Sequence, residues 1–164
     1  MIPNILLSEL ACALTDHWTI QSGAAHFVDL TTGGLTFILP DHMFEDGEIT
    51  EDEICSYKDW EQDAIRTYLE HNLVRIDPIP SYESFRIMEA FKELRSESEQ
   101  QRLCKVLHGS RPFAGFRNAV EDMGIIRQWY DFKDQADARI AEEWLNENGL
   151  EIKDGKIMKL KFRK

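Results

Sequence analysis

The spacing of apolar residues predicts helices over most of the chain. Between residues 5 and 14, leucine and alanine recur every three or four positions, which is typical of an amphipathic helix, with Asn4 as its cap. Apolar stripes with the same period follow over residues 59–69, 81–94, 98–108, 112–120 and 124–149. The last stripe is the longest, and Gly149 is the expected C-terminal stop of that helix.

Two segments alternate with a period of two, which predicts β-hairpins. In "AHFVDLTTGGLTFIL", β-rich runs flank Thr32-Gly33-Gly34, and the paired glycines supply the positive φ angles that a tight turn requires. In "LEIKDGKIMKLKF", Asp154-Gly155 marks a second turn. The side chains expected on packed faces are Val28, Leu30, Leu35, Phe37 and Leu39 in the first hairpin and Met158, Leu160 and Phe162 in the second. The alternating basic residues Lys159, Lys161 and Arg163 are expected to stay solvated.

These elements predict an α+β fold in which a small antiparallel sheet packs against about five helices. A further extended segment, "LVRIDPIP", belongs at a sheet edge or a helix entrance because its prolines cannot donate to a central ladder. At 164 residues the chain has the size of one domain, so residues 1–164 are expected to form a single domain, with 150–164 as a basic C-terminal hairpin. The aromatic residues expected in the core are Trp60, Phe85, Phe91, Phe113, Phe116, Trp129 and Trp144.

Composition narrows the class of protein. Hydrophobic residues make up 43% and charged residues 30% of the chain, which is typical of soluble globular proteins. No apolar run reaches the roughly 18 residues of a membrane span. The apolar N-terminus lacks a basic region, so we interpret it as a helix of the fold and not as a signal peptide. We therefore expect a cytoplasmic protein that does not contact a membrane.

The charge distribution argues against nucleic acid as the main partner. The formal net charge is −11, and residues 1–100 carry 20 acidic against 6 basic residues. Duplex DNA would be repelled by such a surface, because nucleic-acid affinity depends on neutralising phosphates with lysine and arginine. Residues 153–164 are basic, so a weak RNA contact through the C-terminal hairpin is the third and weakest hypothesis.

The three cysteines, Cys12, Cys55 and Cys104, are far apart and form no CxxC motif. This spacing argues against a disulfide framework and against a structural zinc site. We interpret them as reduced, mostly buried thiols. His108 follows Cys104 by four residues on a predicted helix, so the two side chains could share a face, and a nucleophilic role for this thiol is the alternative.

The segment from residue 41 to residue 53 is the most acidic of the chain, with seven acidic residues and no lysine or arginine. It matches a calcium-binding loop only in part. With Gly47 at the sixth position of an EF-hand loop, Glu53 falls correctly, whereas His42 and Phe44 occupy positions that need oxygen ligands. We interpret the segment as a solvated acidic loop and expect no metal there.

The stretch "RPFAGFRNAV" contains the predicted ligand-binding residues. Arg111 and Arg117 lie outside the apolar stripe of a helix that begins at Pro112, near the positive end of its dipole. With the free backbone N–H groups of the first turn, they would suit a phosphate or a carboxylate. Tyr130 and Lys133 on the next helix complete the predicted binding site. Solvation or ion pairing of the two arginines is the alternative interpretation.

Three blocks carry a family resemblance: "HFVDLTTGGLTFI", "IPSYESFRIMEAF" and "RPFAGFRNAV…QWYDFKDQADARIAEEWLNENGL". In this order, over residues 25–150, they resemble the uncharacterised bacterial protein family numbered 0158. The pattern of that family includes an aromatic-x-aspartate hairpin with a Thr-Gly turn and a helix ending in W-L-x-E-N-G. The resemblance implies no assigned activity and no established catalytic residue. Many relatives carry further basic residues beside the second phenylalanine of the F-x-x-F motif, where this chain has Gly115 and Arg117.

Functional hypotheses rest on exclusion, because the sequence lacks common catalytic motifs. It holds no GxGxxG after a strand, no P-loop, no HExxH and no G-x-S-x-G, and its histidines are scattered without metal-ligand spacing. We expect no cofactor.

The favoured hypothesis is a non-enzymatic, acidic protein-interaction module whose partner is another protein, either a basic one or a second copy of the chain. The alternative is a small domain or enzyme that binds a phosphorylated or anionic molecule at the predicted arginine site. An exposed apolar patch would favour the first hypothesis, and a concave pocket with convergent arginines the second.

Overall fold

The structure, a computed structural model, describes residues 5–161 and confirms the α+β class. Within this range it contains eight α-helices, one three-stranded sheet and one two-stranded sheet, both antiparallel. The chain divides into two compact units. We call the first, formed by the residues up to Pro78 and from Ala141 onward, the sheet unit, and the second, Ile79–Ile140, the helical unit. That residues 1–164 form a single domain stays a prediction.

The sheet unit begins with helix α1 (Ile5–Leu14) and the short helix α2 (Trp18–Ser22). Strands β1 (Ala25–Asp29) and β2 (Gly34–Ile38) then form the predicted first hairpin. The elements that follow in this unit are a 3-10 turn (Pro40–His42), α3 (Glu51–Cys55), α4 (Asp59–Glu70), β3 (Leu73–Ile76), β4 (Leu150–Lys153) and β5 (Lys156–Lys159). The predicted acidic loop 41–53 is thus partly helical at both ends.

Strand β1 is the centre of the three-stranded sheet, with β2 and β3 as its edges. Val28 of β1 lies opposite Leu35 of β2 and Val74 of β3, and both pairings are antiparallel. The edge position predicted for "LVRIDPIP" is therefore confirmed. Between residues 5 and 161, no further strand pairs with the outer edge of β2.

The two faces of the first hairpin are covered unequally. On one face, Phe27 packs edge-to-face on Tyr68 of α4 at 6.0 Å between ring centroids, and Ile38 is buried beside it. On the other face Val28 is buried, but Leu35 is only half-buried and Phe37 is 40% exposed. The prediction of one buried face with Leu35 and Phe37 is wrong in this respect, because α1 covers only part of that face.

The second hairpin turns at Asp154-Gly155 as predicted, and it contacts the turn of the first. The backbone N–H of Ile157 donates to the carbonyl of Gly33 at 2.7 Å. Gly33 has a φ of +83°, and a Cβ added there would lie 2.6 Å from Cβ of Lys156, so only glycine fits this approach. Ile157 is the buried residue of β5, whereas Met158 and Leu160, expected on the packed face, are half-buried. Asn4, Phe162 and Arg163, also assigned roles by the sequence, lie outside the described residues.

The helical unit contains α5 (Ser81–Glu93), α6 (Glu97–Leu107), α7 (Pro112–Asp122) and the first part of α8 (Ile126–Glu147). An aromatic cluster forms its core, as predicted. The ring of Trp129 lies 5.3 Å from that of Phe91 and 4.8 Å from that of Phe116, both in edge-to-face geometry. All three side chains are buried.

Other core predictions are wrong or hold only in part. Trp60 is 56% exposed and Phe113 is 48% exposed. Each lies in the first turn of its helix, N-terminal to the buried residues of that helix's apolar stripe. Phe85 and Trp144 are half-buried. The three cysteines are free, but all of them are exposed and not buried.

We expect Trp129→Ala to destabilise the protein by about 3–5 kcal/mol, because it empties the centre of the aromatic cluster. Phe113→Ala, a truncation of an exposed ring in the same unit, is the matched control and should cost less than about 1 kcal/mol. Urea unfolding followed by circular dichroism measures both values. Equal midpoints for Trp129→Ala and the wild type would contradict a core position for this ring.

Candidate functional site

A groove of about 670 Å³ lies between α1 and the uncovered part of the first hairpin, and we call it the α1–β2 groove. Its apolar lining consists of Ile5, Cys12, Ala13, Leu35 and Phe37. Its polar lining consists of Ser8, Glu9, Asp16, His26 and Thr36. All these residues belong to the sheet unit, so one compact body forms the groove.

Exposed apolar side chains extend along this groove. Ile5 is 68% exposed, and Trp18, 58% exposed, lies 6.1 Å from the ring of Phe37. Single exposed apolar residues are common, but a contiguous set beside a concave surface is typical of an interaction site. The sequence did not single out Trp18, which is the first residue of the short helix α2.

A hydrogen bond between two side chains braces the polar side of the groove. Oδ2 of Asp16 lies 2.9 Å from Nε2 of His26, and Oδ1 accepts the backbone N–H of Trp18 at 3.1 Å. The hydrogen bond with His26, helped by the Trp18 N–H, outweighs partial burial and lowers the pKa of Asp16 below its ordinary value. The carboxylate is therefore charged at neutral pH, and it holds the His26 ring 4.9 Å from the ring of Phe37.

The residues predicted to bind an anion lie in the helical unit. Arg111 is the residue before α7, Arg117 lies in α7, and both are exposed and without an ion pair in the described part of the chain. Tyr130 is 43% exposed on α8, and Lys133 pairs with Asp137 on the same helix. Among the described contacts, no hydrogen bond or ion pair joins any two of these four side chains. The anion site stays a prediction.

The Cys104 and His108 side chains do share a face, with 3.6 Å between Sγ and Nδ1. The same Nδ1 lies 2.8 Å from the carbonyl oxygen of Cys104. Because a carbonyl oxygen only accepts, this nitrogen carries the hydrogen and is not free to take a proton from the thiol. The arrangement gives no support to a nucleophilic role.

Residues 5–161 contain neither a membrane-spanning helix nor a metal-binding group. None of the helices in this range combines the length and hydropathy of a membrane span. In the same range, no three histidine, cysteine or acidic side chains converge as a metal-binding group would require.

Comparison with known proteins gives one match. The model of the Uncharacterised protein family UPF0158 matches residues 6–160, nearly the whole chain. The chain belongs to this family. No curated protein and no solved structure matches it.

The aromatic-x-aspartate block by which the chain resembles UPF0158 has a structural explanation. Asp29 ends β1, and its side chain is 5% exposed. Its Oδ2 lies 2.8 Å from Nδ1 of His71, and its Oδ1 accepts the backbone N–H groups of Thr31 at 2.9 Å and Thr32 at 3.4 Å. Burial opposes ionisation, but these hydrogen bonds outweigh it, so the pKa of Asp29 lies below its ordinary value.

We expect the stabilising effect of Asp29 to depend on pH in the acidic range. A carboxylate whose pKa is lower in the folded than in the unfolded chain stabilises the fold above the unfolded pKa, and this stabilisation is lost as pH falls through the folded pKa. The difference in urea midpoint between the wild type and Asp29→Asn should therefore be retained above about pH 4, near the pKa of an unperturbed aspartate, and shrink as pH falls from there through the lower folded pKa.

Asp63→Asn is the control for this titration, because Asp63 is exposed and has no ion pair in the described part of the chain. Its midpoint difference from the wild type should stay small throughout. A wild-type advantage over Asp29→Asn that stays constant down to pH 2.5 would contradict the ionised, hydrogen-bonded Asp29.

Proposed function

We propose that this UPF0158 protein is a non-enzymatic protein-interaction module. Its α1–β2 groove would bind an extended segment of a partner protein that carries apolar and basic side chains. The observation that carries this proposal is an apolar groove left open beside an edge strand of the sheet. An exposed apolar patch is the feature that favours an interaction module over a small-molecule enzyme.

The edge strand supports an extended partner. An edge presents unpaired N–H and C=O groups, and a peptide that adds as a further strand satisfies them while its alternate side chains enter neighbouring pockets. Leu35 and Phe37 of β2 point to the same face of the sheet, so they offer apolar contacts two residues apart. A segment with apolar residues at alternate positions fits this spacing.

The charge of the sheet unit supports a basic partner. Glu9 lies on the rim of the groove and has no ion pair in the described part of the chain. The chain as a whole carries a formal net charge of −11. Lysine or arginine residues of the partner would accelerate encounter, and one that lies on the same face of the segment as its apolar residues would pair with Glu9.

A reducing compartment suits the exposed free thiols of Cys12, Cys55 and Cys104, and we place the protein in the bacterial cytoplasm. An exposed thiol in the groove would be oxidised or cross-linked in an extracellular setting.

Selection from a displayed library of random dodecapeptides tests the proposal. We expect peptides with apolar residues at alternate positions and a net positive charge to be enriched on the wild type. Phe37→Ser should weaken binding of a selected peptide about tenfold or more, because it removes an aromatic contact worth roughly 1.4 kcal/mol or more. Glu9→Lys should also weaken binding of the selected peptide, and more strongly at low salt, because it places a positive charge where the peptide is positive. Isothermal titration calorimetry measures both effects.

Tyr82→Ser is the matched control, because Tyr82 is also an exposed aromatic residue, at 60%, and lies in the helical unit. It should bind the selected peptide like the wild type. Peptides that bind Phe37→Ser with unchanged affinity, or a selection that enriches no peptide, would contradict a docking role for the groove.

A further inference from the structure

A second cavity, of about 580 Å³, lies in the sheet unit where the acidic segment meets α4. Two edge-to-face ring pairs line it: His42 with Trp60 at 5.4 Å, and Phe44 with Tyr57 at 6.4 Å. Trp60 is 56% exposed, so much of its indole is open to a ligand. We call this space the aromatic cavity.

His42 is the buried polar residue of this cavity, with 4% of its side chain exposed. Its Nε2 lies 3.4 Å from Oε1 of Glu61. Because a carboxylate only accepts, Nε2 is the donor, and in the neutral ring Nδ1 keeps a lone pair. In the described part of the chain, Nδ1 of His42 has no hydrogen-bond partner. This atom is not completely buried, so it can accept a hydrogen bond from an incoming donor.

The remaining polar groups of the cavity are also acceptors. Asp41, Glu48 and Glu61 contribute carboxylates, and no lysine or arginine occurs among the lining residues. Glu48 uses one oxygen to accept the N–H of Glu45, and its other oxygen has no hydrogen-bond partner among residues 5–161. A ligand for this set must carry positive charge and several N–H donors, and it must have a surface that packs against an aromatic face.

We propose that the aromatic cavity binds a guanidinium group. A guanidinium is planar, presents five N–H donors and stacks on aromatic rings, whereas an ammonium is a compact, strongly hydrated point charge. It can lie over the indole of Trp60 while donating to Nδ1 of His42 and to the carboxylate of Glu48 or Asp41. The guanidinium belongs either to an arginine side chain of a partner protein or to a free arginine-like molecule.

Titration of the ¹⁵N-labelled full-length chain with N-acetyl-L-arginine amide tests this proposal by NMR. We expect saturable shifts of the Trp60 indole N–H and of the His42 ring. N-acetyl-L-citrulline amide, which is isosteric but uncharged, should cause none, and N-acetyl-L-lysine amide should bind more weakly. Tighter binding of the blocked arginine than of free L-arginine assigns the site to a protein side chain, and the reverse order assigns it to a free molecule.

Variants at exposed positions separate binding from folding. Trp60→Leu and Glu48→Gln should each weaken binding by at least about fivefold, because they remove the ring face or a charged acceptor. Tyr82→Leu and Asp134→Asn, which remove an exposed ring and an exposed carboxylate of the helical unit, should leave the affinity unchanged. Thermal unfolding of each variant checks that the fold is retained.

The proposal would be overturned by no saturable shift, by citrulline binding like arginine, or by unchanged affinity in Trp60→Leu. Lysine binding as tightly as arginine would overturn the choice of a guanidinium. The titration does not involve the α1–β2 groove, so this inference and the proposed function can fail independently of each other.

Discussion

The Asp29 carboxylate is the contact on which the geometry of the sheet unit depends. It accepts hydrogen bonds from the hairpin turn at Thr31 and Thr32 and from His71, which lies between α4 and β3. Two further bonds join the same segments: Leu30 N–H to the carbonyl of Asn72, and Asn72 N–H to the Thr31 hydroxyl. One buried charge thus fixes where the first hairpin turns and where β3 enters beside β1.

The free edge of β2 follows from this arrangement. Because β3 is held against β1, the hairpin gains its third strand on the β1 side, and β2 is left at the edge. Helix α1 then packs over the hairpin without covering Phe37, and the pair of Asp16 and His26 braces the open side. The α1–β2 groove therefore exists because the sheet unit has too few helices to cover both faces of its sheet completely.

The sequence predicted the features that depend on local chemistry. It missed those that depend on which side chains other elements cover in the folded chain. Both hairpin turns follow from glycines that adopt positive φ, and the cluster around Trp129 follows from helical spacing, so these could be predicted. Alternation placed Phe37 on a packed face but could not show that α1 leaves it open. Trp60 has the spacing of a core residue, yet it lies in the first turn of α4, beside His42 from a segment 18 residues earlier. Such long-range pairs leave no local pattern.

NMR mapping of a selected peptide on the full-length chain shows whether the partner binds in the α1–β2 groove. We expect the largest backbone shift changes on β2, from Leu35 to Ile38, and on residues 8–13 of α1. Slowed amide exchange along the outer edge of β2 should accompany them. Shift changes confined to the helical unit around Arg111 and Arg117, with β2 unaffected, would show that the partner does not bind in the groove and would favour the predicted arginine site.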